Sequence, residues 1–444
     1  MKENHGFTLR NVAPYWIKKK KATTRRSHFD ARAARDRRVF LDRDSMPSPS
    51  RSNPSARVGV AFGGVRVGIN GFGRIGRLFF RAAEALSSSI DVVAINDPAL
   101  ESVDYAAYLL RRDSTYGRFP GIVEVETVED GTKVMRVDGR RVYVTHEKDP
   151  ANVPWYEQDV RHVVDASGKF LTAETAGAHL HVGDETETQN RNHPAHVILT
   201  APAKDDTVPT YVMGVNEHRY VADGYPRVVS NASCTTNCLA PLVKIVDDAF
   251  GVESGAMTTV HALTISQPSV DGHCGKDWAR GRGGVQNIVP TTSGAAKALA
   301  KVLPGLGGKV KAYALRVPVA TTSAVDLTVN LRVGASFEAV KAAIEHASAG
   351  AMRGIVAVET EPAVSTDFVG NGASCVFDAS ASFAVTPRCH KLVAWYDNEH
   401  GYACRAVDLV EHIDRADRDK ARLDALLAEK QKHENEAGTS AAAA

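Results

Sequence analysis

The stretch Gly71-Phe72-Gly73-Arg74-Ile75-Gly76 limits the possible folds more than any other. Just before it, Val65, Val67 and Ile69 alternate with the two-residue period of a strand. Just after it, Leu78 to Leu86 reads as a helix. A second strand, Ile90 to Ile95, ends in Asn96-Asp97-Pro98, which puts an acid 21 residues past Gly76. A lone G-x-G-x-x-G is weak, because glycines also serve plain turns. Between a strand and a helix, with that acid following, it is the fingerprint of a dinucleotide-binding unit. Gly71, Gly73 and Gly76 let the backbone approach a pyrophosphate, which sits on the helix N-terminus. Asp97 is placed to accept hydrogen bonds from the adenosine ribose. Its charge repels a 2′-phosphate, so the expected cofactor is NAD rather than NADP.

Further βα units follow. Arg161 to Val164 runs into Asp165-Ala166-Ser167-Gly168, and Val197 to Leu199 runs into Thr200-Ala201-Pro202. Small residues at strand C-termini are where ligands lie in open α/β sheets. Between them, residues 181–194 are polar and acidic and read as a surface loop inserted in the cofactor domain.

The second informative stretch is Ser230-Asn231-Ala232-Ser233-Cys234-Thr235-Thr236-Asn237-Cys238. It follows Arg227-Val228-Val229, the end of a strand. It precedes Leu239, Leu242, Val243, Ile245 and Val246, which have helical spacing. Cys234 therefore stands where a strand turns into a helix. Unpaired N–H groups and the helix dipole favour negative charge there. The thiol is expected to titrate below its usual value of about 8.5 and to act as a nucleophile. Cys238, one turn on, reads as packed core. No second Cys or His pair follows at ligand spacing, so no metal is expected.

The six cysteines are irregularly spaced, which fits a reducing compartment better than a disulfide framework. No apolar run is long enough to span a membrane, and no signal h-region is evident. The net charge of +2 hides an asymmetry: residues 1–60 hold 15 Lys+Arg against 5 Asp+Glu. Residues 1–64 read as a basic, disordered extension. Its readings are a solvated tail, an organelle presequence, a nuclear address or an arm contacting nucleic acid. The cytoplasm is the default location.

Beyond the cysteine helix the pattern changes. Met257 to Val260, Val310 to Pro318 and Ala324 to Val333 are β-rich, Ser293 to Leu303 and Ser336 to Ser348 are helical, and Leu392 to Tyr396 closes as a strand. This is a second, α+β domain. A last helix starts near Ala403 and continues, charged, to Lys430; the residues after it read as a loose tail.

Together with these two stretches, Thr259-Val260-His261-Ala262-Leu263-Thr264, Arg316-Val317-Pro318 and Trp395-Tyr396-Asp397-Asn398-Glu399 resemble phosphorylating glyceraldehyde-3-phosphate dehydrogenases, in order and spacing, over roughly residues 65–415. The resemblance implies a Rossmann NAD-binding domain at 65–232 and a catalytic domain with a mostly antiparallel sheet at 233–397. A C-terminal helix at 398–430 would return to the first domain, with residues 431–444 loose. It also implies roles. Cys234 is the nucleophile and His261 the base, paired as thiolate and imidazolium. Thr264 and Arg316 take the substrate phosphate; Ser233, Thr235, Ser293 and Gly294 take inorganic phosphate. Arg74, Ile75, Asp97, Lys148, Thr200 and Asn398 bind NAD, with Tyr402 close by.

The implied substrates are glyceraldehyde 3-phosphate and inorganic phosphate. The implied assembly is a homotetramer, with the loop Thr264 to Gln286 against a neighbour's cofactor site. The chain departs from the family's usual residues at Lys148, Asp165-Ala166-Ser167-Gly168, Thr200, Ala279 and Ser293. Two rivals share the fold. One is erythrose-4-phosphate dehydrogenase, disfavoured by Thr264. The other is an idle relative that binds RNA or another anion, disfavoured by the joint presence of Cys234, His261, Arg316 and Asn398.

Overall fold

The computed structural model describes residues 64–442, apart from 88, 181–192 and 276. The basic extension, save its last residue, and the acidic loop, save residues 193 and 194, lie outside the described residues.

Strand β1 (Val65–Asn70) and helix α1 (Arg74–Leu86) flank the glycine turn. The helix starts one turn earlier than the apolar spacing indicated, because Gly73 serves as its N-cap. Its first N–H groups, at Arg74 and Ile75, thus open directly onto the turn. β1 is the middle of a parallel array. It pairs with β2 (Ile90–Asn96) on one side and β6 (His162–Asp165) on the other. β7 (His196–Leu199) and β8 (Val228–Ser230) extend the array.

An antiparallel meander that sequence reading did not anticipate completes this eight-stranded sheet: β3 (Val123–Thr127), β4 (Lys133–Val137) and β5 (Arg140–Thr145). Its signal was present. Asp138 and Gly139, with φ of 47° and 82°, form the two-residue turn between β4 and β5. Asp-Gly is the dipeptide a type I′ hairpin prefers.

A seven-stranded mixed sheet forms the other half, in the order β10-β11-β9-β12-β15-β14-β13. These strands are β9 (Val252–Ala262), β10 (Val289–Thr292), β11 (Val310–Val317), β12 (Ser323–Leu331), β13 (Val356–Glu359), β14 (Cys375–Thr386) and β15 (Cys389–Tyr396). Four of its six pairings are antiparallel. Helix α5 (Cys234–Phe250) covers it, burying Leu239, Leu242, Val243 and Val246 in one apolar cluster with Leu327, Val329, Phe377 and Leu392. Cys238 belongs to that cluster and is fully buried.

The last helix, α8 (His400–Ala442), buries Ala403, Val407, Val410 and Ile413 against Phe79, Phe80 and Ala83 of α1. A loose tail was expected from residue 431, but the helix runs on to Ala442. Its Ala, Leu, Glu and Lys content favours helix over coil.

Candidate active site

The sheet halves meet at the turn between β8 and α5. Ser233 is extended (φ −109°) and caps the helix, its side chain accepting from the Thr236 N–H at 3.1 Å. Cys234 is thereby the first residue of the helix, half-buried. His261 stands at the end of β9, 4% exposed, with its Nε2 3.5 Å from the Cys234 Sγ. The parallel register of β11 on β9 places Arg316 directly beside His261. Arg316 Nη1 lies 2.6 Å from His261 Nδ1 and 3.2 Å from the Ala262 carbonyl oxygen. That carbonyl is itself 2.8 Å from Nδ1.

Burial, then the Arg316 charge, lower the His261 pKa to about 4, so the imidazole is neutral at pH 7. Burial also pushes the Cys234 thiol up from its ordinary value; Arg316 and the Thr235 N–H pull it back only in part. Burial thus works against the expected thiolate–imidazolium pair, while Arg316 and the N–H groups of the helix start favour the thiolate.

The anion groups are partly spoken for. The Thr235 hydroxyl is 2.9 Å from Tyr396 Oη, and Thr264 Oγ1 donates to Gln267 Oε1 at 2.8 Å. Ser293 Oγ accepts from the Ala295 N–H at 3.3 Å, and Gly294 is exposed at the start of α6 (Ala295–Val302). Asn398 follows β15, nearly buried. Sequence reading missed Ser323, which links two parts of the site. Its hydroxyl accepts from the Ala262 N–H at 3.0 Å and donates to Asn398 Oδ1 at 2.9 Å. Asn398 donates to none of the described residues. Only the β12–β15 register reveals Ser323, by setting it opposite Tyr396.

The glycine turn fits a dinucleotide. Gly71 has φ +92°, and a Cβ there would come within 2.6 Å of the Ser167 N. A Cβ at Gly76 would overlap the Gly71 carbonyl oxygen, whereas one at Gly73 meets nothing within 4 Å. The first and third glycines are therefore needed by the protein, and the second leaves a face open for a ligand. Asp97 lies at the end of β2, its Oδ2 accepting from the Phe72 N–H and its Oδ1 from the Ala99 N–H, both at 2.8 Å. Lone pairs remain for ribose hydroxyls. Thr200 donates to the Asp165 carbonyl at 3.1 Å, and Lys148 is exposed beyond β5.

Two residues differ from expectation. The Arg74 guanidinium is engaged by Asp113 and Glu399, which leaves its backbone N–H rather than its side chain for phosphate. Tyr402 is buried and its hydroxyl donates to the Ala232 carbonyl at 3.0 Å, so its polar end serves the cysteine turn. Among the described residues no cluster of metal-ligating side chains occurs.

Sequence profiles of the two domains of glyceraldehyde 3-phosphate dehydrogenase match this chain. The NAD-binding profile covers residues 65–173 and the C-terminal profile residues 233–398. The chain is 49% identical over 351 residues to glyceraldehyde-3-phosphate dehydrogenase A of Escherichia coli K12, covering 79% of this chain and 99% of that protein. The chain belongs to the glyceraldehyde 3-phosphate dehydrogenase family. The family's enzyme from Eremothecium gossypii is 47% identical over 79% of this chain and 99% of its own length. A chloroplastic family member from Arabidopsis thaliana is 48% identical, covering 83% of this chain and 81% of that protein. The residue departures noted above thus sit inside a dehydrogenase framework with an NAD-binding domain.

Proposed function

We propose that the protein oxidises and phosphorylates glyceraldehyde 3-phosphate to 1,3-bisphosphoglycerate, with NAD and inorganic phosphate, in glycolysis and gluconeogenesis. The observation that carries this is Cys234 Sγ at 3.5 Å from His261 Nε2 at the start of a helix, with Arg316 alongside.

His261 takes the Cys234 thiol proton as the sulfur attacks the aldehyde carbon, and passes it to the carbonyl oxygen to give a thiohemiacetal. The Cys234 N–H, at the helix start, faces the developing oxyanion. His261 then removes the hydroxyl proton as a hydride leaves the same carbon, which yields a thioester. NAD, when bound, accepts that hydride. Gly71, Gly73, Gly76 and the Arg74 and Ile75 N–H groups would hold its pyrophosphate, Asp97 its ribose and Asn398 its carboxamide, with Lys148 and Thr200 at the margins. A phosphate oxygen attacks the thioester carbon, and the Cys234 sulfur leaves. Arg316 and Thr264 hold the substrate phosphate. Ser233, Thr235, Ser293 and Gly294 line the approach of the second one, chiefly through backbone N–H groups, since all three hydroxyls already have a partner.

The assembly is a homotetramer and the location the cytoplasm. The chloroplastic relative supports an organelle as the second reading. NADH formation from glyceraldehyde 3-phosphate, with and without phosphate, on wild type and Cys234→Ser tests the reaction. Phosphate-dependent turnover absent from the variant is expected. Turnover that survives the substitution, or none from folded wild type, rejects it.

A further inference from the structure

The turn that delivers Cys234 is held in a conformation its own residue resists. Ala232, two positions before the cysteine, has φ +57°, the left-handed region that an L-residue with a Cβ enters only at a cost. It is fully buried, so water does not satisfy its backbone. Side chains claim both polar groups instead. The Ala232 N–H donates to Ser230 Oγ at 3.1 Å, and its carbonyl accepts from Tyr402 Oη at 3.0 Å. Ser230 Oγ in turn donates a hydrogen bond to the Ala201 carbonyl at 2.8 Å. Tyr402 comes from the first turn of α8, a helix anchored against α1 in the core of the eight-stranded sheet.

A phenol buried only for packing would be served by any nearby acceptor. This one meets the carbonyl of the strained residue. Burial keeps the hydroxyl protonated, so its role as donor is fixed. Ser233 follows at once and caps the helix, so a rotation at Ala232 would swing both the Sγ and the N–H of Cys234.

We propose that Tyr402 is a positioning residue: its hydroxyl locks the Ala232 turn and thereby aims Cys234 at His261. This rests on Cys234 being the nucleophile, as argued above. The alternative role, contact with the cofactor, would use the ring and not the hydroxyl.

Tyr402→Phe keeps the ring and removes the donor. Two readouts are needed: steady-state turnover, and the pH dependence of Cys234 alkylation by iodoacetamide, which requires no dehydrogenase reaction. The expected result is a fall in kcat of roughly ten- to a hundredfold. KM for both substrates changes little, and the alkylation profile moves to higher pH as the N–H groups lose alignment with the sulfur. Ala232→Gly removes the strain that the hydroxyl holds, since glycine enters φ +57° freely, so alone it should leave the alkylation profile near wild type. In the double variant it should restore most of what Tyr402→Phe loses, because both changes act on one turn. Wild-type kcat and alkylation in Tyr402→Phe overturn the proposal, and so does a double variant no better than Tyr402→Phe. Should Tyr402→Phe fail to fold, the double variant is compared with wild type, and an alkylation profile still shifted to higher pH overturns it. Absence of dehydrogenase activity in wild type would reject the proposed reaction and leave the alkylation comparison intact.

Discussion

Arg316 Nη1 and the Ala262 carbonyl oxygen face the same nitrogen of His261, Nδ1, at 2.6 and 2.8 Å. One nitrogen cannot accept from a guanidinium and donate to a carbonyl at once. The carbonyl is fixed by β9, while the arginine is a long side chain whose preferred partner is an anion. A phosphate that draws Arg316 away leaves Nδ1–H to the carbonyl and frees Nε2 to accept a proton. Binding of the substrate phosphate and readiness of the base are therefore linked through Arg316.

Arg316→Ala should expose that link. Burial and the Arg316 charge both hold the His261 pKa down, near 4. Removing the charge leaves burial alone, so the pKa rises. The neutral base is then lost at a higher pH, and the acid limb of the kcat/KM profile moves upward. The lost phosphate contact should cost about 2–3 kcal/mol, or roughly a hundredfold in kcat/KM. A pH–rate series on both proteins checks both effects, and an acid limb that stays in place contradicts the linkage.

Gly73→Ala and Gly76→Ala should separate binding from folding. Gly73 has an ordinary φ of −71° and open space where a Cβ would go. Alanine there should leave the melting temperature nearly unchanged and weaken NAD, because the methyl fills the ligand's face. At Gly76 the Cβ would overlap the Gly71 carbonyl, which should cost about 1–3 kcal/mol of stability as well as binding. Calorimetric melting and NAD titration distinguish the two.

Asp97→Asn keeps the shape of the ribose contact and removes its charge. The Phe72 and Ala99 N–H groups lose a charged acceptor. NAD affinity should fall about tenfold, worth roughly 1.4 kcal/mol. Discrimination against NADP should weaken too, because the repulsion of the 2′-phosphate is gone. Titration with both nucleotides measures each effect.

What the sequence disclosed and what it hid follow physical lines. The glycine turn was legible because local backbone needs restrict it to glycine at Gly71 and Gly76, whatever else the fold does. Cys234 was legible as a helix start because Ser233 caps in place. The upward push of burial on its pKa was not, since burial is set by residues far along the chain. Arg316 beside His261 depends on β11–β9 register, which no local pattern encodes. Ser323 and the Tyr402–Ala232 contact were hidden for the same reason. The meander β3–β5 was visible in its Asp138-Gly139 turn but lacks the long apolar runs that mark buried strands.

Stability should fall in mild acid. His196 is nearly buried at the start of β7, and its pKa is lowered to about 3 by burial, then by the charges of His162, Arg161 and Arg227. Asp417 lies 3.4 Å from its Nδ1 and Asp414 opposes the shift, but burial and the cations prevail. His261 is lowered to about 4. In the unfolded chain both titrate near 6.5. Below that pH the unfolded state binds protons that the folded state refuses, so the stability present above pH 6.5 is lost as pH falls toward 4 and 3. At pH 5 each histidine should cost about 2 kcal/mol. Urea unfolding at pH 7 and pH 5 reads the difference, and His196→Gln should remove about half of it. A midpoint that does not move between the two pH values would mean that both imidazoles find a proton-stabilising partner in the folded protein, and the resting neutral His261 would have to be given up with them.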